Sequence, residues 1–513
     1  MSGGAWQALS ALGAGLRRAG TVGERQAAWL AACLARNRDS DYGRAHGFGA
    51  IHTVAQYRAA VPLTGYEEMA PWIARCAAGE ADVIFAGRAL AFERTGGSSG
   101  GAKLLPYSAA SLDGFRVAIL PWLRDVIEGQ GWSEGTAYWA ISPATRQPET
   151  TEGGIAVGVN DAAYLGADAL PAFAALSAVE PAVGAVASVR DWQLLTLHGL
   201  LCKPDLVLIS VWSPTFFLAL IEALDGLTDE IEALLAVGGR VAGLRVRADA
   251  GALERLRAYR ADHELRGLWP RLALVSCWAD GDSRPYFDVL RARLPHASFQ
   301  AKGLLATEGV VTVPDAQGRP VLAADSGFTE FIDARGNCLL ADELRAGERY
   351  EVVMTTAGGL YRYRIGDVVD CQGHGEGGPL LHFVGRAGLV SDLVGEKLTA
   401  EFVARCLADL AGFRMLVRGA GAQPGYALIV DQRQAGEAEA LAERIEQRLH
   451  ANPQYAYARR MGQLARLAVY CVADPLNIYF QHAMGQRARM GDVKMPVLRP
   501  EPGWLEVFLR SSQ

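Results

Sequence analysis

The sequence predicts an α/β protein with a large N-terminal domain, residues 1–388, and a small α+β domain, residues 389–513. A chain of 513 residues exceeds what one hydrophobic core usually supports, so two or more domains are expected. Between residues 135 and 385, short strand-like runs alternate with helical runs, which is typical of a layered α/β domain. The last quarter of the chain instead mixes single strands with a long charged helix, and we place a hinge near residues 385–393.

The individual elements follow from local patterns. Residues 1–90 are expected to be helical, with loops at 37–49 and 61–71. Strands are predicted at 91–94, 136–141, 206–212, 272–278 and 349–355, and a helix at 111–127, where apolar residues recur at helical spacing. Ser213-Pro214 interrupts the most apolar stretch, which predicts a buried strand and then a helix with Ser213 as N-cap and Pro214 in its first position. The small domain is predicted to contain strands 426–430 and 466–472 and helices 399–410 and 435–450, after a strand at 380–384.

Composition and charge exclude several classes of function. Half of the residues are hydrophobic and 21% are charged, which is ordinary for a globular enzyme and unlike a disordered chain. The formal charge of −6 gives no reason to expect nucleic acid or an anionic membrane as a partner. The eight cysteines lie far apart without a Cys-x-x-Cys pair, which argues against a zinc site and a disulfide framework. We therefore expect a cytoplasmic protein, a monomer or weak dimer, that acts on small molecules.

A glycine- and serine-rich loop is the most informative feature. Residues 95–103 read TGGSSGGAK. Glycines let the backbone approach a ligand closely, hydroxyls and free N–H groups surround phosphate oxygens, and the lysine adds one positive charge. The loop lacks the Walker spacing. Its composition favours a triphosphate-binding loop, although glycine- and serine-rich loops are also ordinary turns.

Two further stretches carry candidate carboxylates. In AKGLLATEG, residues 301–309, Glu308 on a turn could ligate Mg²⁺ beside a triphosphate, because this ion prefers oxygen ligands. The alternative is a plain loop carboxylate. In GLYRYRIGDVV, residues 359–369, aromatic residues alternate with arginine as in a half-buried strand. Asp367 at the end of that pattern is suited to accept hydrogen bonds from both ribose hydroxyls, and a turn aspartate without a ligand is the alternative.

Three basic residues nearer the C-terminus are weaker candidates. Arg386, in FVGR, could reach phosphate or ribose oxygens. Lys397, in GEKLTAEFV, is either a surface residue at a helix N-terminus or a charge that a moving domain brings over the active site. Lys494, in GDVKMP, lies on a loop bounded by glycine and proline, where a lone lysine is usually only solvated.

Taken in order, these stretches resemble the adenylate-forming superfamily, which includes acyl-CoA synthetases, luciferases and peptide-synthetase adenylation domains. TGGSSGGAK looks like its phosphate-binding signature, ATEG its Tyr-Gly-x-Thr-Glu element, YRYRIGD its Gly-Asp element, VGRAG its hinge motif, and Lys494 its C-terminal catalytic lysine. Within the superfamily the chain most resembles the GH3 acyl acid amido synthetases, as a bacterial member. This resemblance rests on NRDSDYGRAHGF, YRYRIGDVV, SDLVGEKLTAEFV and CWADGDSRPYFDVLRARLP, and it spans residues 37–500.

The resemblance implies a large domain of layered β-sheets and a β-barrel with helices, and a mobile C-terminal lid domain. It implies a ligase that uses ATP and Mg²⁺ to adenylate a small carboxylic acid, with release of pyrophosphate, and then transfers the acyl group to an amino acid. The residues that it assigns to ATP are Thr95, Ser98, Ser99, Lys103, Glu308, Tyr361, Asp367 and Arg386, with Glu308 also the metal ligand. The residues that it assigns to catalysis are Thr307, Lys397 and Lys494, and the two lysines would neutralise the junction between carboxylate and α-phosphate.

The chain departs from the plant members of the family in two places. At Gly97 those members usually carry threonine, so one hydroxyl is missing from the loop. On the helix after the loop they often place an arginine that binds the acid, whereas the inward face here would be Phe115, Ile119 and Trp122. If these three residues line a pocket, they predict an aromatic or aliphatic acid. Plain core packing is the alternative.

Three other functions remain open at this point. An acyl-CoA synthetase would share the first half-reaction and differ only in using coenzyme A as acceptor. A hydrolase is suggested by residues 97–101, which formally satisfy Gly-x-Ser-x-Gly, but that reading leaves Lys103, the ATEG turn and the YRYR strand unexplained. An inactive adenylate-binding sensor would normally have lost one of the four residues Lys103, Glu308, Asp367 and Lys494, and all four are present.

Overall fold

The computed structural model of the protein describes residues 2–16, 19–94, 103–141, 149–158, 161–280, 283–386, 390–410, 413–432, 438–475, 478–479, 482 and 497–510. The chain divides into two compact units. The first comprises residues 1–94 and 104–385, and the second comprises residues 386–513 together with the segment 95–103. The predicted boundary at residue 388 falls three residues beyond the end of the first unit.

Helices dominate the N-terminal part of the chain and recur throughout it. In order they are α1 Ser2–Gly13, α2 Val22–Asn37, α3 Asp41–Ala45, α4 Val54–Ala60, α5 Tyr66–Ala77, α6 Ala109–Gln130, α7 Leu170–Leu176, α8 Val189–Leu201, α9 Pro214–Val237, α10 Ala250–Asp262, α11 Leu265–Leu268, α12 Arg284–Arg293, α13 Ala400–Cys406, α14 Ala438–Leu449, α15 Pro453–Arg460 and α16 Trp504–Arg510. Within the described residues, no helix is both long enough and apolar enough to cross a membrane.

The strands of the first unit are β1 Ala91–Arg94, β2 Leu104–Tyr107, β3 Thr136–Trp139, β4 Glu149–Thr150, β5 Ala156–Val157, β6 Leu206–Ser210, β7 Gly239–Val241, β8 Leu244–Val246, β9 Leu274–Cys277, β10 Ser298–Ala301, β11 Leu305–Ala306, β12 Gly309–Val310, β13 Thr312–Pro314, β14 Pro320–Leu322, β15 Phe328–Ile332, β16 Cys338–Leu339, β17 Arg349–Thr355, β18 Tyr363–Gly375 and β19 Gly378–Arg386, whose last residue already belongs to the second unit. Those of the second unit are β20 Val390–Ser391, β21 Leu398–Thr399, β22 Arg414–Arg418, β23 Tyr426–Asp431, β24 Ala468–Val472 and β25 Leu498–Arg499.

A four-stranded parallel sheet forms the α/β part of the first unit. Its order is β10-β9-β6-β3, and every neighbouring pair is parallel. All residues of β3, β6 and β9 are buried, as expected when helices cover both faces of a parallel sheet. Because parallel strands point the same way, the loops after β6, β9 and β10 leave the sheet at one edge, where α/β proteins usually bind ligands.

The other sheets of the first unit are antiparallel or mixed, since β1 and β5 pair in parallel. A seven-stranded sheet has the order β13-β14-β19-β18-β17-β15-β16, a four-stranded sheet has the order β2-β1-β5-β4, and β11 and β12 form a separate hairpin. The second unit is built on a sheet of order β24-β23-β22-β25, in which β22 and β23 are antiparallel and the outer pairs are parallel. This mixed sheet with its helices has the α+β character that the sequence predicts for the C-terminal part.

Most of the predicted elements are present, but both predicted loops of the N-terminal part contain helix, since α3 lies within the predicted loop at 37–49. The helix after β6 begins at Pro214 as expected. The predicted loop at 61–71, however, contains the start of α5, which runs through Pro71. The backbone N–H of Gly65 donates to the carboxylate of Glu68 at 2.8 Å, so the first turn is capped. Three buried side chains of α5, Met69, Ile73 and Cys76, form its core face, and this packing outweighs the one hydrogen bond that Pro71 removes.

Candidate active site

The glycine- and serine-rich loop connects two strands that lie side by side. β1 and β2 are antiparallel, with Arg94 opposite Leu104, so the two ends of the loop are neighbours. Thr95, Ser98 and Ser99 lie outside the described residues. Lys103 is described and half-buried, immediately before β2. The sequence predicted a helix after the loop, and the structure places β2 between the loop and α6.

Thr307 and Glu308 form the two-residue turn of the β11–β12 hairpin, in which Ala306 pairs with Gly309. The hydroxyl of Tyr107, the last residue of β2, donates to the carbonyl oxygen of Thr307 at 2.7 Å. Burial, followed by the neighbouring Tyr164, raises the pKa of Tyr107, so this hydroxyl stays protonated and acts as a donor. The strand that leaves the loop is therefore tied to the turn that carries the candidate metal ligand.

A third segment meets the same place. The Ser108 hydroxyl donates to the carbonyl oxygen of Ala357 at 3.1 Å, and it also caps α6 by accepting from the Ser111 backbone. A Cβ atom at Gly358 would lie 3.3 Å from the carbonyl oxygen of Pro106, so a side chain at 358 would crowd β2. The end of β2, the hairpin turn and the loop before YRYR thus converge at the start of α6.

Tyr361 lies in the hydrophobic core. Its side chain is fully buried, its hydroxyl donates to the carbonyl oxygen of Ile84 at 2.7 Å, and its ring stacks on Tyr42 with 4.9 Å between ring centroids. Burial raises its pKa well above the ordinary value. Its hydroxyl is therefore engaged in packing, and this placement lends no support to an ATP-binding role for the side chain.

The next residue, Arg362, anchors a buried ionic cluster. Its guanidinium donates to both carboxylate oxygens of Glu330, at 2.9 and 3.2 Å, and to the carbonyl oxygen of Val61 at 2.9 Å. Burial alone lowers the pKa of Arg362, but the bonds to Glu330 reverse that effect, so the net shift is upward. Arg362 has a backbone φ of 47°, which is unusual for a residue with a side chain. The cluster holds the chain in this strained conformation where it enters β18.

Asp367 lies at a β-bulge inside β18, and not at a strand end as predicted. On β17 a single residue, Val352, separates the partners of Arg364 and Val368, whereas three residues separate them on β18. Gly366 has a φ of 79°, which glycine adopts without strain. Bulges re-aim side chains and are frequent beside active sites. Asp367 is 4% exposed.

The predicted acyl-binding residues form one face of α6. Phe115 lies 4.7 Å from Tyr164 and 6.0 Å from Tyr107, measured between ring centroids. Phe115 and Trp122 are buried in the core of the first unit, and Ile119 packs against it half-buried. The aromatic face therefore reaches Tyr107, which bonds the Thr307 turn, although the three residues themselves are packed as core residues.

Lys302 is a candidate residue that the sequence-based prediction missed. It follows β10 at the carboxyl edge of the parallel sheet, is 8% exposed, and donates to the Ser210 hydroxyl at 2.6 Å. Its ammonium lies 5.2 Å from the ring centroid of Trp122 and 5.4 Å from that of Trp212. The signal was a lone lysine in the apolar run AKGLLA, just before the ATEG turn.

The second unit carries the remaining candidates. Arg386 ends β19, and its side chain lies outside the described part of the structure. Lys397 lies between β20 and β21, half-buried, with a backbone φ of 49°. Lys494 also lies outside the described residues. The structure therefore brings together Tyr107, Thr307 and the α6 face within the first unit, and it places Lys397 in the second.

The chain matches three consecutive parts of one protein family: the GH3 family N-terminal domain over residues 18–299, the GH3 family central domain over residues 320–386 and the GH3 family C-terminal domain over residues 396–502. The chain belongs to the GH3 family. This membership confirms the sequence-based resemblance to the family itself and the predicted enzyme class, an ATP-using ligase of the acyl acid amido synthetase type.

Two curated relatives of this GH3 protein match over most of their length. The probable indole-3-acetic acid-amido synthetase GH3.1 of Oryza sativa subsp. japonica is 26% identical over 418 residues, which cover 73% of this chain and 68% of the relative. The jasmonoyl–L-amino acid synthetase JAR6 of Nicotiana attenuata is 24% identical over 426 residues, which cover 74% of this chain and 72% of the relative.

Two solved structures show that the GH3 chain has the fold of adenylate-forming enzymes. The GH3.15 acyl acid amido synthetase superposes with a TM-score of 0.63 at 18% identity, covering 96% of this chain and 94% of that one. A 2-hydroxyisobutyryl-CoA ligase in complex with 2-HIB-AMP and CoA superposes with a TM-score of 0.56 at 12% identity, covering 93% and 89%. These superpositions confirm the predicted α/β fold with a larger N-terminal and a smaller C-terminal part.

Proposed function

We propose that this GH3 protein couples a small carboxylic acid to the amine of an amino acid through an acyl-adenylate. The observation that carries the proposal is the bond from Tyr107 to Thr307, which fixes the strand leaving the glycine- and serine-rich loop against the Thr307-Glu308 turn. The strand that follows a loop suited to phosphates is thereby held against a turn suited to the reacting carboxylate and metal. Catalysis by positioning depends on a fixed orientation, which would be lost if the strand and the turn moved independently.

The first half-reaction makes the acid reactive. A carboxylate is a poor electrophile because its leaving group is effectively oxide. Attack of a carboxylate oxygen on the α-phosphorus of ATP forms the P–O bond of a mixed anhydride and breaks the bond to pyrophosphate. Charge builds up on phosphate oxygens, so the protein contributes mainly electrostatic stabilisation and orientation.

The proposed roles follow the charge. The β- and γ-phosphates are held by Thr95, Ser98, Ser99 and Lys103. Asp367, at its bulge, accepts hydrogen bonds from the ribose hydroxyls. Arg386 reaches phosphate or ribose oxygens. Thr307 lies near the α-phosphate or the acyl oxygens. Lys397 and Lys494 neutralise the junction between the carboxylate and the α-phosphate. The amine of the amino acid then attacks the acyl carbon, and AMP leaves as the amide forms.

We propose that Glu308 supplies a ligand to Mg²⁺. Mg²⁺ is usually held by one or two carboxylates together with substrate phosphates, and a half-buried carboxylate on a tight hairpin turn suits that arrangement. Bound Mg²⁺ would offset the negative charge of the phosphate oxygens. Among the described residues there is no group of three or more histidine, cysteine, aspartate or glutamate side chains arranged around a metal site.

The acid that we propose has a large apolar body, aromatic or aliphatic. Support comes from the row formed by Trp122, Ile119 and Phe115 on α6, which ends beside Tyr107 and the Thr307 turn. The two curated relatives are named for indole-3-acetic acid and jasmonoyl substrates. Both names describe acids with apolar bodies, in agreement with this row.

The proposal is tested by removing the Tyr107 hydroxyl alone. Tyr107→Phe should lower acid-dependent ATP–pyrophosphate exchange about tenfold, because the hairpin turn loses its attachment to β2. Tyr350→Phe is the matched control, since Tyr350 is also buried and its hydroxyl bonds the Arg345 backbone and Glu348 elsewhere in the first unit. Equal exchange rates in the two variants would mean that the Tyr107 bond does not organise the site.

A further inference from the structure

Glu396, the residue before Lys397, is fully buried and holds its own turn together. Its side chain is 0% exposed. One carboxylate oxygen accepts the Leu393 backbone N–H and the other accepts the Val394 backbone N–H, both at 2.9 Å. A buried carboxylate is retained only where such donors compensate its lost hydration, so the side chain is tied into the turn of residues 391–397.

Other elements of the second unit clamp the same residue from outside. The Tyr426 hydroxyl, from β23, donates to the Glu396 carboxylate and also bonds the Ser391 hydroxyl at 2.9 Å. The Asn452 amide, at the start of α15, donates to the carbonyl oxygen of Glu396 at 3.0 Å. That carbonyl belongs to the peptide bond that joins Glu396 to Lys397. The Asn452 bond therefore fixes the orientation of this peptide plane, while the carboxylate is held by the turn and by Tyr426.

The clamp is needed because the backbone of Lys397 is strained. A φ of 49° places Lys397 in the left-handed region, which residues with a Cβ adopt only when the surroundings impose it. Asp392 contributes by accepting the Gly395 backbone N–H at 2.7 Å. The direction in which the lysine side chain leaves the chain depends on this imposed conformation.

Burying the Glu396 carboxylate beside other acidic groups has an electrostatic cost. Burial, followed by the negative charge of Asp392, raises the pKa of Glu396 to about 7, against the bonds from Tyr426, Leu393 and Val394 that lower it. Tyr455 on α15 also faces this charge, and burial, together with Glu446, raises its own pKa. A neutral side chain would pack here at lower electrostatic cost.

We propose that Glu396 is a positioning residue that fixes the left-handed turn of Lys397 and thereby aims the lysine at the reacting carboxylate. This inference rests on the proposed function for the role of Lys397. Glu396 touches neither acid nor nucleotide in this account. It acts through the backbone, and Lys397 alone meets the charge that develops in the transition state.

A double-mutant cycle separates positioning from general stability. Lys397→Ala should lower the adenylation kcat on the order of 100-fold with little change in the KM for ATP. Glu396→Ala should approach the same loss, because a misplaced lysine no longer meets the transition state. Glu396→Gln, which keeps one acceptor oxygen for the turn, should stay within about tenfold of the wild type. In the double variant Glu396→Ala should add little to Lys397→Ala.

Glu446 provides the matched control in the same unit. It is a largely buried carboxylate that accepts a tyrosine hydroxyl and a backbone N–H, from Tyr455 and Leu467, both at 2.9 Å. Glu446→Ala should destabilise the unit, but its effect on kcat should be independent of Lys397→Ala. The fold-losses of these two substitutions should therefore multiply in the double variant. Full multiplication of the Glu396→Ala and Lys397→Ala effects would overturn the inference, because Glu396 would then act as a structural residue only.

A second measurement does not depend on turnover. Hydrogen exchange at the Leu393 and Val394 amides should be on the order of tenfold faster in Glu396→Ala. In Glu396→Gln, which keeps one acceptor oxygen, one of the two amides should stay near the wild-type rate. The rate at which an amine-reactive ester labels Lys397, followed by mass spectrometry, should change in Glu396→Ala and not in Glu446→Ala. If the wild type shows no acid-dependent exchange of pyrophosphate, the proposed function fails. The labelling rate of Lys397 still tests whether Glu396 positions that lysine. An unchanged labelling rate at Lys397 in Glu396→Ala would overturn the inference.

Discussion

Replacing Glu330 with glutamine should destabilise the first unit more than any exposed charge substitution. Glu330 lies on β15 and is 1% exposed, and it joins two guanidinium groups: Arg58 of α4, at 2.7 Å, and Arg362 at the entry to β18. Cys338 donates to the same carboxylate at 3.2 Å. Glutamine keeps the volume but leaves both arginines without a counter-charge.

The structure sets the expected magnitude. Removing one partner of a buried ion pair costs about 3–5 kcal/mol, because the other charge stays buried and uncompensated. The Arg362 side chain is 8% exposed and that of Arg58 26%, so water can reach only the second. Glutamine retains one acceptor oxygen, which places the expected loss in the free energy of unfolding at about 3 kcal/mol, the lower end of that range.

A control variant on the neighbouring strand makes the comparison specific. Glu351 of β17 also accepts two bonds from one arginine, Arg364, at 2.8 and 2.7 Å, but the Arg364 side chain is 51% exposed. Glu351→Gln should therefore cost about 0–1 kcal/mol. Urea unfolding followed by tryptophan fluorescence suits both variants, since ten of the eleven tryptophans lie in the first unit. Similar urea midpoints for the two variants would refute the reasoning that burial makes the Glu330 cluster costly to break.

Three further predictions concern single side chains. Asp367→Asn should lower adenylation about 10–100-fold through the loss of charge-assisted hydrogen bonds to ribose. Asp370→Asn, on the same strand but paired with Arg349 at the surface, should not lower it. Equal pyrophosphate-exchange rates in these two variants would contradict the prediction. The Asp280 carboxylate, 3.6 Å from the His382 ring, raises the pKa of His382. The pair therefore stabilises the fold below the ordinary histidine pKa, and this stability is lost as the pH rises through the raised value. In a proton NMR titration Asp280→Asn should bring the pKa of His382 down. Because the pKa of Glu396 is raised to about 7, the wild type should lose stability relative to Glu396→Gln as the pH rises from about 4.5 to 7. A difference in melting temperature between the two proteins that stays constant across that range would contradict this.

The sequence predicted those elements whose signals are local. The break at Ser213-Pro214 marked the start of α9, because proline favours the first position of a helix and is costly in its interior. The parallel strands stood out as continuous apolar runs, since both of their faces are buried. The order of five weak motifs then indicated the family, because the resemblance assigns each of them to a different part of one nucleotide site.

Features that depend on contacts distant in sequence were not predictable in the same way. The bulge at Asp367 arises from the pairing of β18 with β17, and no pattern within YRYRIGD indicates it. α5 continues through Pro71 because its face packs on the core, which a local helix rule does not take into account. Lys302 and Glu396 are recognised only when their neighbours are known. A buried lysine between two indole rings and a buried carboxylate beside a lysine both look like surface charges in the sequence.

The most direct test of the account is acid-dependent release of pyrophosphate from Mg-ATP. The assay uses a panel of aryl and aliphatic acids, without an acceptor, with pooled amino acids, and with coenzyme A. We expect pyrophosphate release with an acid of large apolar body, stimulation of that release by amino acids, and an amide detected by mass spectrometry. Stimulation by coenzyme A alone would contradict the amide-forming step. No release of pyrophosphate with any acid of the panel, from a protein that binds ATP, would contradict the proposed adenylation of apolar acids.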